Sequence, residues 1–289
     1  MNVKILYRQL LNKLFDRTLF IAATLVALAV LFIFAFVFKE GFPFIHQIGI
    51  IQALKAESWH PSEGLFNYLP MVFGSILCTA VAMLIATPLA YAIAIAQVFL
   101  FPQKISNFSR ILTDTFAGIP SVIFGLWGLT VLVPKLAEKF PPGTSLLTAG
   151  IVLSLMIIPT IASSFTIALE ERARQLRPSA IALGISQSRL ALQIVTPAAL
   201  GALGSGISLG IGRAAGETMA VLMVCGNIAQ LPTSIFDPIR TLNTNLAIEM
   251  AYATGVHRAS LFFSGFILLV LVLIIVLFAQ GLKKKWNAN

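Results

Sequence analysis

The stretch GIGRAAGETMAV at 210–221 carries an arginine, Arg213, and a glutamate, Glu217, and every other residue from Ala198 to Cys225 is uncharged. In a continuous helix residues four apart share a face, so these two side chains can pair. A guanidinium stays charged at any working pH and presents a planar fork of donors that fits an oxyanion. Glu217 can hold that fork in place and serve as its counter-ion while no anion is present. It then competes with an arriving anion, so binding stays weak enough for release. Thr218 adds a hydroxyl beside Glu217, or bonds its own backbone one turn back. The structural alternative is that Arg213 and Glu217 neutralise each other, or pair with another subunit, and only lock helices. Against it, a buried ion pair adds little over apolar packing, and an arginine in a span costs about 2.5–3.5 kcal/mol on insertion scales.

The elements that must hold these residues are membrane spans. Of 289 residues, 58% are hydrophobic and 11% charged, against about 25% charged in soluble domains. One crossing takes roughly 20 apolar residues. Six segments qualify, at 18–38, 69–99, 111–134, 145–169, 198–226 and 259–281. The expected fold is therefore all-α, a polytopic membrane protein with six transmembrane helices. The net charge of +9 does not point to nucleic acid, because the basic residues lie in short clusters beside apolar runs. They crowd into the N-terminal tail, 100–110, 170–197 and the C-terminal tail, so both termini are expected in the cytoplasm, with lipid around the spans. The run at 18–38 is too long for a signal-peptide core and lacks a small-x-small cleavage site, so it is expected to remain as the first span.

Several features carry no chemistry of their own. Cys78 and Cys225 sit in apolar runs without metal-ligand spacing, and His46, His60 and His257 share no such spacing either. No nucleophile–base set is present. Pro88, Pro120 and Pro159 fall inside spans and are expected to kink them. Gly206 with Gly210 and Gly212 with Gly216 give two GxxxG spacings for close helix approach. The stretch LNTNLAIEMAYATG in the loop 227–258 is expected as a short amphipathic helix lying on the outer face, a binding surface or a shield for the bundle.

The most polar long segment is EERARQLRPSAIALGISQSRLALQIVTP at 170–197. Pro178 suits a first helical position, Ser186 can cap a second helix, and Pro197 closes it. Two short helices would then form a knob for a soluble partner. Ser179, Ala180, Gly184, Ile194 and Pro197 resemble the EAA loop of permease subunits in ATP-binding-cassette importers, with Ser179 at the family's first alanine, Pro178 at its glutamate and Thr196 at its leucine. AGIPSVIFGLWGL at 117–129 and GIGRAAGETMAV at 210–221 are similar to signature stretches of phosphate-specific permeases, in a form resembling the PstC type. SWHPSEG at 58–64 and Gly226-Asn227, followed by TNLAIEMA, add to the likeness.

That resemblance implies a type I ABC importer permease (MetI-like) fold: a tail, first helix and outer loop over 1–68, a core of five transmembrane helices over 69–282, and a tail at 283–289. It implies a location in the bacterial inner membrane and a set of partners. These are a second permease of the PstA type, a dimer of PstB-type ATP-binding subunits that docks on the 178–197 knob, and an external PstS-type phosphate-binding protein. The chain has no GxxxxGK[ST] loop, so it is expected to bind no cofactor itself, ATP and Mg being used by the partner ATPase. It is a transporter subunit on this reading, not an enzyme, with Arg213, Glu217 and Thr218 on the substrate pathway. Alternatives remain: another oxyanion such as sulfate, molybdate or phosphonate, a secondary transporter with a coupling proton on Glu217, or a membrane scaffold.

Overall fold

Apolar runs long enough to cross a bilayer become helices because no water is there to satisfy free backbone groups. In the computed structural model, which describes residues 3–49, 51 and 57–286, five helices meet that length and apolarity: Phe15–Gln47, Leu69–Leu100, Leu146–Ala182, Gln187–Ala215 and Gly255–Leu277. A bent pair, Gln103–Ala117 and Ser121–Ala137, meeting at 88°, passes the same test of length and apolarity when taken together and brings the count to six if it is one span. The protein is all-α, as expected, apart from one two-stranded hairpin.

In chain order, α1 (Val3–Gln47) is followed by β1 (Trp59–His60) and β2 (Leu65–Phe66), paired antiparallel. Next come α2 (Leu69–Ile95) with a π-helical turn at Ala96–Leu100, α3 (Gln103–Ala117), and α4 (Ser121–Trp127) with a π turn at Gly128–Leu132. Then α5 (Val133–Ala137), α6 (Leu146–Ala182), and α7 (Gln187–Arg189) lead through a π turn at Leu190–Val195 into α8 (Thr196–Ala215). The chain ends with α9 (Met219–Val224), α10 (Leu242–Glu249) and α11 (Gly255–Trp286).

Helix α6 is the axis of the bundle, packed against α2, α3 and α8. Its tightest neighbour is α2, where Cys78, Ala82, Ala86, Ala90 and Ala94 recur every fourth residue and are all buried. Small side chains on one helical stripe let two backbones approach closely. Leu153, Met156, Ile157 and Ile161 of α6 belong to the same core. Gly206 and Gly210 continue the theme on α8: a Cβ on Gly210 would lie 2.5 Å from Ile161 Cδ1. By contrast, a Cβ on Gly212 would meet nothing within 4 Å, so only the first GxxxG spacing is used within the chain.

A second core closes the opposite end. Phe44 stands edge-on to Phe66 and Tyr68, with ring centroids 5.2 and 5.6 Å away, and stacks on Phe263. Trp59 stands edge-on to Tyr68 at 5.2 Å. These rings tie α1, the hairpin and α11 together; aromatic pairs of this geometry add about 0.5–1.5 kcal/mol beyond burial. Along the rest of its length α1 touches chiefly α11, through Phe36 on Phe262 and Phe38 on Phe266.

Four expectations are corrected. The span at 111–134 is two helices, because Pro120 lies extended at the start of α4 and its ring cannot continue α3. The span at 198–226 begins earlier, at Gln187, and stops at Ala215. Pro178 does not start a helix but lies inside α6, and Pro197 does not close one but sits in the first turn of α8, where no donor is needed. The knob is thus the end of one span and the start of the next. Finally, α10 does not lie on the outer surface: Leu242, Asn243, Thr244, Asn245 and Glu249 are all buried, which its polar side chains tolerate because nearly all are bonded.

Candidate functional site

Arg213 occupies the last turn of α8 and reaches across to two other elements. Its Nη1 donates to the Thr160 hydroxyl on α6, and its Nη2 donates to the Ala117 carbonyl at 3.3 Å. Ala117 is the last residue of α3, where carbonyls lose their intrahelical partners. The guanidinium therefore sits where the third span breaks.

Glu217 is elsewhere. The helix ends at Ala215 with Gly216 as its cap, so the four-residue periodicity that would have paired it with Arg213 is interrupted. Its Oε1 accepts from the Ala220 N–H in the first turn of α9 at 3.3 Å, a position favoured for a carboxylate. No ion pair joins Arg213 to Glu217 among the described residues; the ion pairs found there involve Arg110, Arg240 and His257. Thr218 starts α9 without a side-chain capping bond and lines an open recess with Gly216, Asn243 and Met250. Asn243 of the buried α10 donates its amide to the carbonyls of Ala215 and Glu217, each at 3.1 Å. It thereby satisfies the carbonyls freed where α8 stops.

Sequence reasoning missed a polar seam on these same helices. Along one face of α6 run Thr160, Ser163, Thr166, Glu170, Arg174 and Arg177, and along α3 run Ser106, Arg110, Thr113 and Asp114. Between them lies a cavity of about 140 Å³, lined among others by Arg110, Asp114 and Ser163. Gln97, buried at 3% exposure, accepts from Thr166 at 2.8 Å and donates to Ser109 at 2.9 Å. Arg110 Nη1 meets Glu170 Oε2 at 2.7 Å. The three-to-four spacing of polar residues inside α3 was the available signal, because a helix with one polar stripe must face something other than lipid.

A second cluster was also missed. Glu249, 6% exposed, accepts from Trp59 Nε1 at 2.9 Å and Arg240 Nη1 at 2.8 Å, and bonds His257 Nε2 at 2.8 Å. It binds the hairpin, the loop before α10 and the start of α11 into one unit.

The residues resembling a coupling loop come together at the other end. Gly184 has a left-handed φ of +65°. Its N–H bonds the Ile181 carbonyl at 3.0 Å, and the next N–H, of Ile185, bonds the Ala180 carbonyl at 3.0 Å. This pair of bonds is the Schellman closure of α6, which requires a residue content at positive φ. Ala180 is buried beneath it, Ile194 is partly buried, and Ser179 and Pro197 are exposed. Thr196 anchors the π turn, its hydroxyl bonding the Ala191 carbonyl at 2.8 Å. Ile181 and Leu183 are left 68% and 76% exposed at the tip.

Comparison with known proteins agrees with this architecture. A probable ABC transporter permease protein, YqgH, of Bacillus subtilis is 36% identical over 247 residues, covering 83% of this chain and 80% of the relative. The phosphate transport system permease protein PstC of Xylella fastidiosa is 32% identical over 81% of this chain and 79% of its own length. The corresponding protein of Haemophilus influenzae is 31% identical over 77% of each. Among solved structures, the inward-facing MetNI methionine ABC transporter matches with a TM-score of 0.55 at 16% identity, covering 74% of this chain and 92% of that one; the fold is that of type I ABC importer permeases. The family model for the binding-protein-dependent transport system inner membrane component matches residues 86–287, and the chain belongs to that family.

Proposed function

We propose that this chain is the PstC-type permease of an ATP-driven phosphate importer and that Arg213 is the cation on its pathway. The observation that carries this is the state of Arg213. Its partners are a hydroxyl and a backbone carbonyl, and both are neutral. A guanidinium in a span without a carboxylate on it among the described residues retains its charge for an anion. The relatives named as phosphate transport permeases support phosphate as that anion.

On this reading the chain forms the pathway with a PstA-type permease, and two PstB-type subunits that bind MgATP press on the knob at Ser179, Ala180, Gly184, Ile194 and Pro197. A PstS-type binding protein delivers phosphate from outside, and both termini lie in the cytoplasm. The exposed Ile181 and Leu183 offer apolar contact to the ATPase. ATP binding draws the knobs together and opens the pathway outward; hydrolysis resets it. Because α6 runs unbroken from Leu146 to Ala182, a push on its end reaches Thr160, the residue that holds Arg213. Glu217 and Thr218 stand across the break in α8 and face the solute as it passes.

ATP-dependent uptake of labelled phosphate by the complete complex tests the assignment, comparing wild type with Arg213→Gln at equal membrane abundance. Uptake is expected to collapse while the complex still assembles. Undiminished uptake would make Arg213 structural. Competition with sulfate, molybdate and phosphonate identifies the solute.

A further inference from the structure

At the knob end of the bundle, beyond the cavity that holds Asp114, lies a second cleft of about 560 Å³. Its walls come from the turn between α2 and α3, from the last turns of α6, and from the knob itself through Gln187. Three arginines line it, Arg110, Arg174 and Arg177, against one carboxylate, Glu170, so its charge is net positive.

The three arginines are held differently. Arg177 is fixed: its Nη2 donates to the Val98 carbonyl at 3.1 Å, and its guanidinium lies over the Phe99 ring, 5.7 Å from the centroid. Arg110 uses one end on Glu170, while its Nε is buried with no hydrogen-bond partner. Such an orphaned donor is uncommon and costly. Arg174, one turn before Arg177, makes no hydrogen bond or ion pair among the described residues. A fixed guanidinium, an unsatisfied donor and a free guanidinium around one cleft of small-ligand size are the elements of an anion site.

We infer that this cleft binds a phosphate-group anion, either inorganic phosphate or the phosphodiester headgroup of an anionic lipid. On the proposed orientation it opens to the cytoplasm, and occupancy does not depend on which solute passes Arg213. The fork geometry of arginine, more than net charge, makes phosphate the matching chemistry.

The test uses the complete importer in nanodiscs, with an environment-sensitive fluorophore on Gln187→Cys. Cys78 and Cys225 are buried, so labelling is selective when the partner subunits are cysteine-free, and its reaction with an impermeant reagent in sealed vesicles reports the side independently. In discs of phosphatidylcholine, titrating inorganic phosphate is expected to give a saturable signal that equal ionic strength of chloride does not. Arg174→Gln, an exposed position, is expected to weaken it about tenfold or more, the loss of one charge-assisted contact, and Arg110→Gln likewise. Arg213→Gln is expected to leave it unchanged. In discs containing phosphatidylglycerol, a signal already shifted before phosphate is added identifies the lipid headgroup as the occupant; no shift identifies free phosphate. The inference is overturned if neither ligand changes the signal, if chloride reproduces it, or if both arginine variants titrate as wild type.

Discussion

If Arg213 and Glu217 act on separate elements, removing one should not change what removing the other costs. Arg213→Gln loses the contacts to Thr160 and to the Ala117 carbonyl. Hydrogen bonds from a charged group contribute about 1.5–3 kcal/mol, and the 3.3 Å bond to Ala117 lies at the weak end. Glu217→Gln keeps an acceptor for the 3.3 Å contact from Ala220 N–H but removes its charge, for about 0.5–1.5 kcal/mol. The double variant should therefore cost the sum, with coupling within about 0.5 kcal/mol. A buried ion pair predicts otherwise: each single variant would cost about 3–5 kcal/mol by stranding its partner, and the double would recover much of that. The measurement is denaturant unfolding of the purified permease pair in micelles for all four combinations. Uptake is the wrong readout, because both residues can couple through a shared solute. A coupling above about 1.5 kcal/mol, with the double variant more stable than either single, would refute the separation.

Gly210→Ala should lower stability by about 1–3 kcal/mol, since its Cβ would press on Ile161, whereas Gly212→Ala should leave the folding of this chain unchanged; thermal unfolding separates the two. If Gly212→Ala nevertheless prevents co-purification of the second permease, that face of α8 is covered by the partner. Glu249→Ala strips the acceptor from Trp59, Arg240 and His257, and stranding a buried cation should cost about 3–5 kcal/mol, read by Trp59 fluorescence during unfolding in a background with Trp127 and Trp286 replaced by Phe. In the loop 232–238, the N–H groups of Ser234 and Thr233 and the Thr233 hydroxyl hold the Asp237 carboxyl below the usual carboxylate range. A depressed pKa contributes stability that is present above the ordinary carboxylate pKa and lost as pH falls through the lowered one. Limited proteolysis of this loop should therefore stay constant near neutrality and rise only in stronger acid, and Asp237→Asn should raise it near neutrality and converge with wild type in strong acid.

What was legible in the residues was local. Run lengths gave the spans and their order because one hydrophobic length scale governs them. The Ala180-to-Gly184 spacing was legible for the same reason: the Schellman closure is set by neighbouring residues. Of the two breaks, the one at Pro120 was legible in its proline, and the one at Gly216 was not. Gly216 alone does not end a helix; α8 stops there in company with Asn243, which arrives from far along the chain to take its carbonyls. Likewise the Arg110–Glu170 bond joins residues 60 apart, and nothing in either neighbourhood names the other. The reading of α10 as a surface helix failed on the same ground, since only the positions of Arg240, Trp59 and His257 show that Glu249 can be buried.

The two breaks also explain each other. Irregular backbone at membrane depth persists only where it is buried in protein or lines a water-filled space. The ends of α3 and α8 meet at Arg213, which takes a carbonyl from the first, while beyond the breaks α4 packs on α9 so closely that a Cβ on Gly125 would lie 2.9 Å from Ala220 Cα. The helices beyond the two breaks, α4 and α9, are thus one packed unit joined to α3 and α8 by short connections, while Arg213 ties the ends of α3 and α8 to each other. An anion that drew Arg213 off Ala117 would release the end of α3 from the end of α8. On the proposed function, the charge that binds the solute is also the charge that ties the two helix ends together, so substrate binding would act directly on the point where both spans are interrupted.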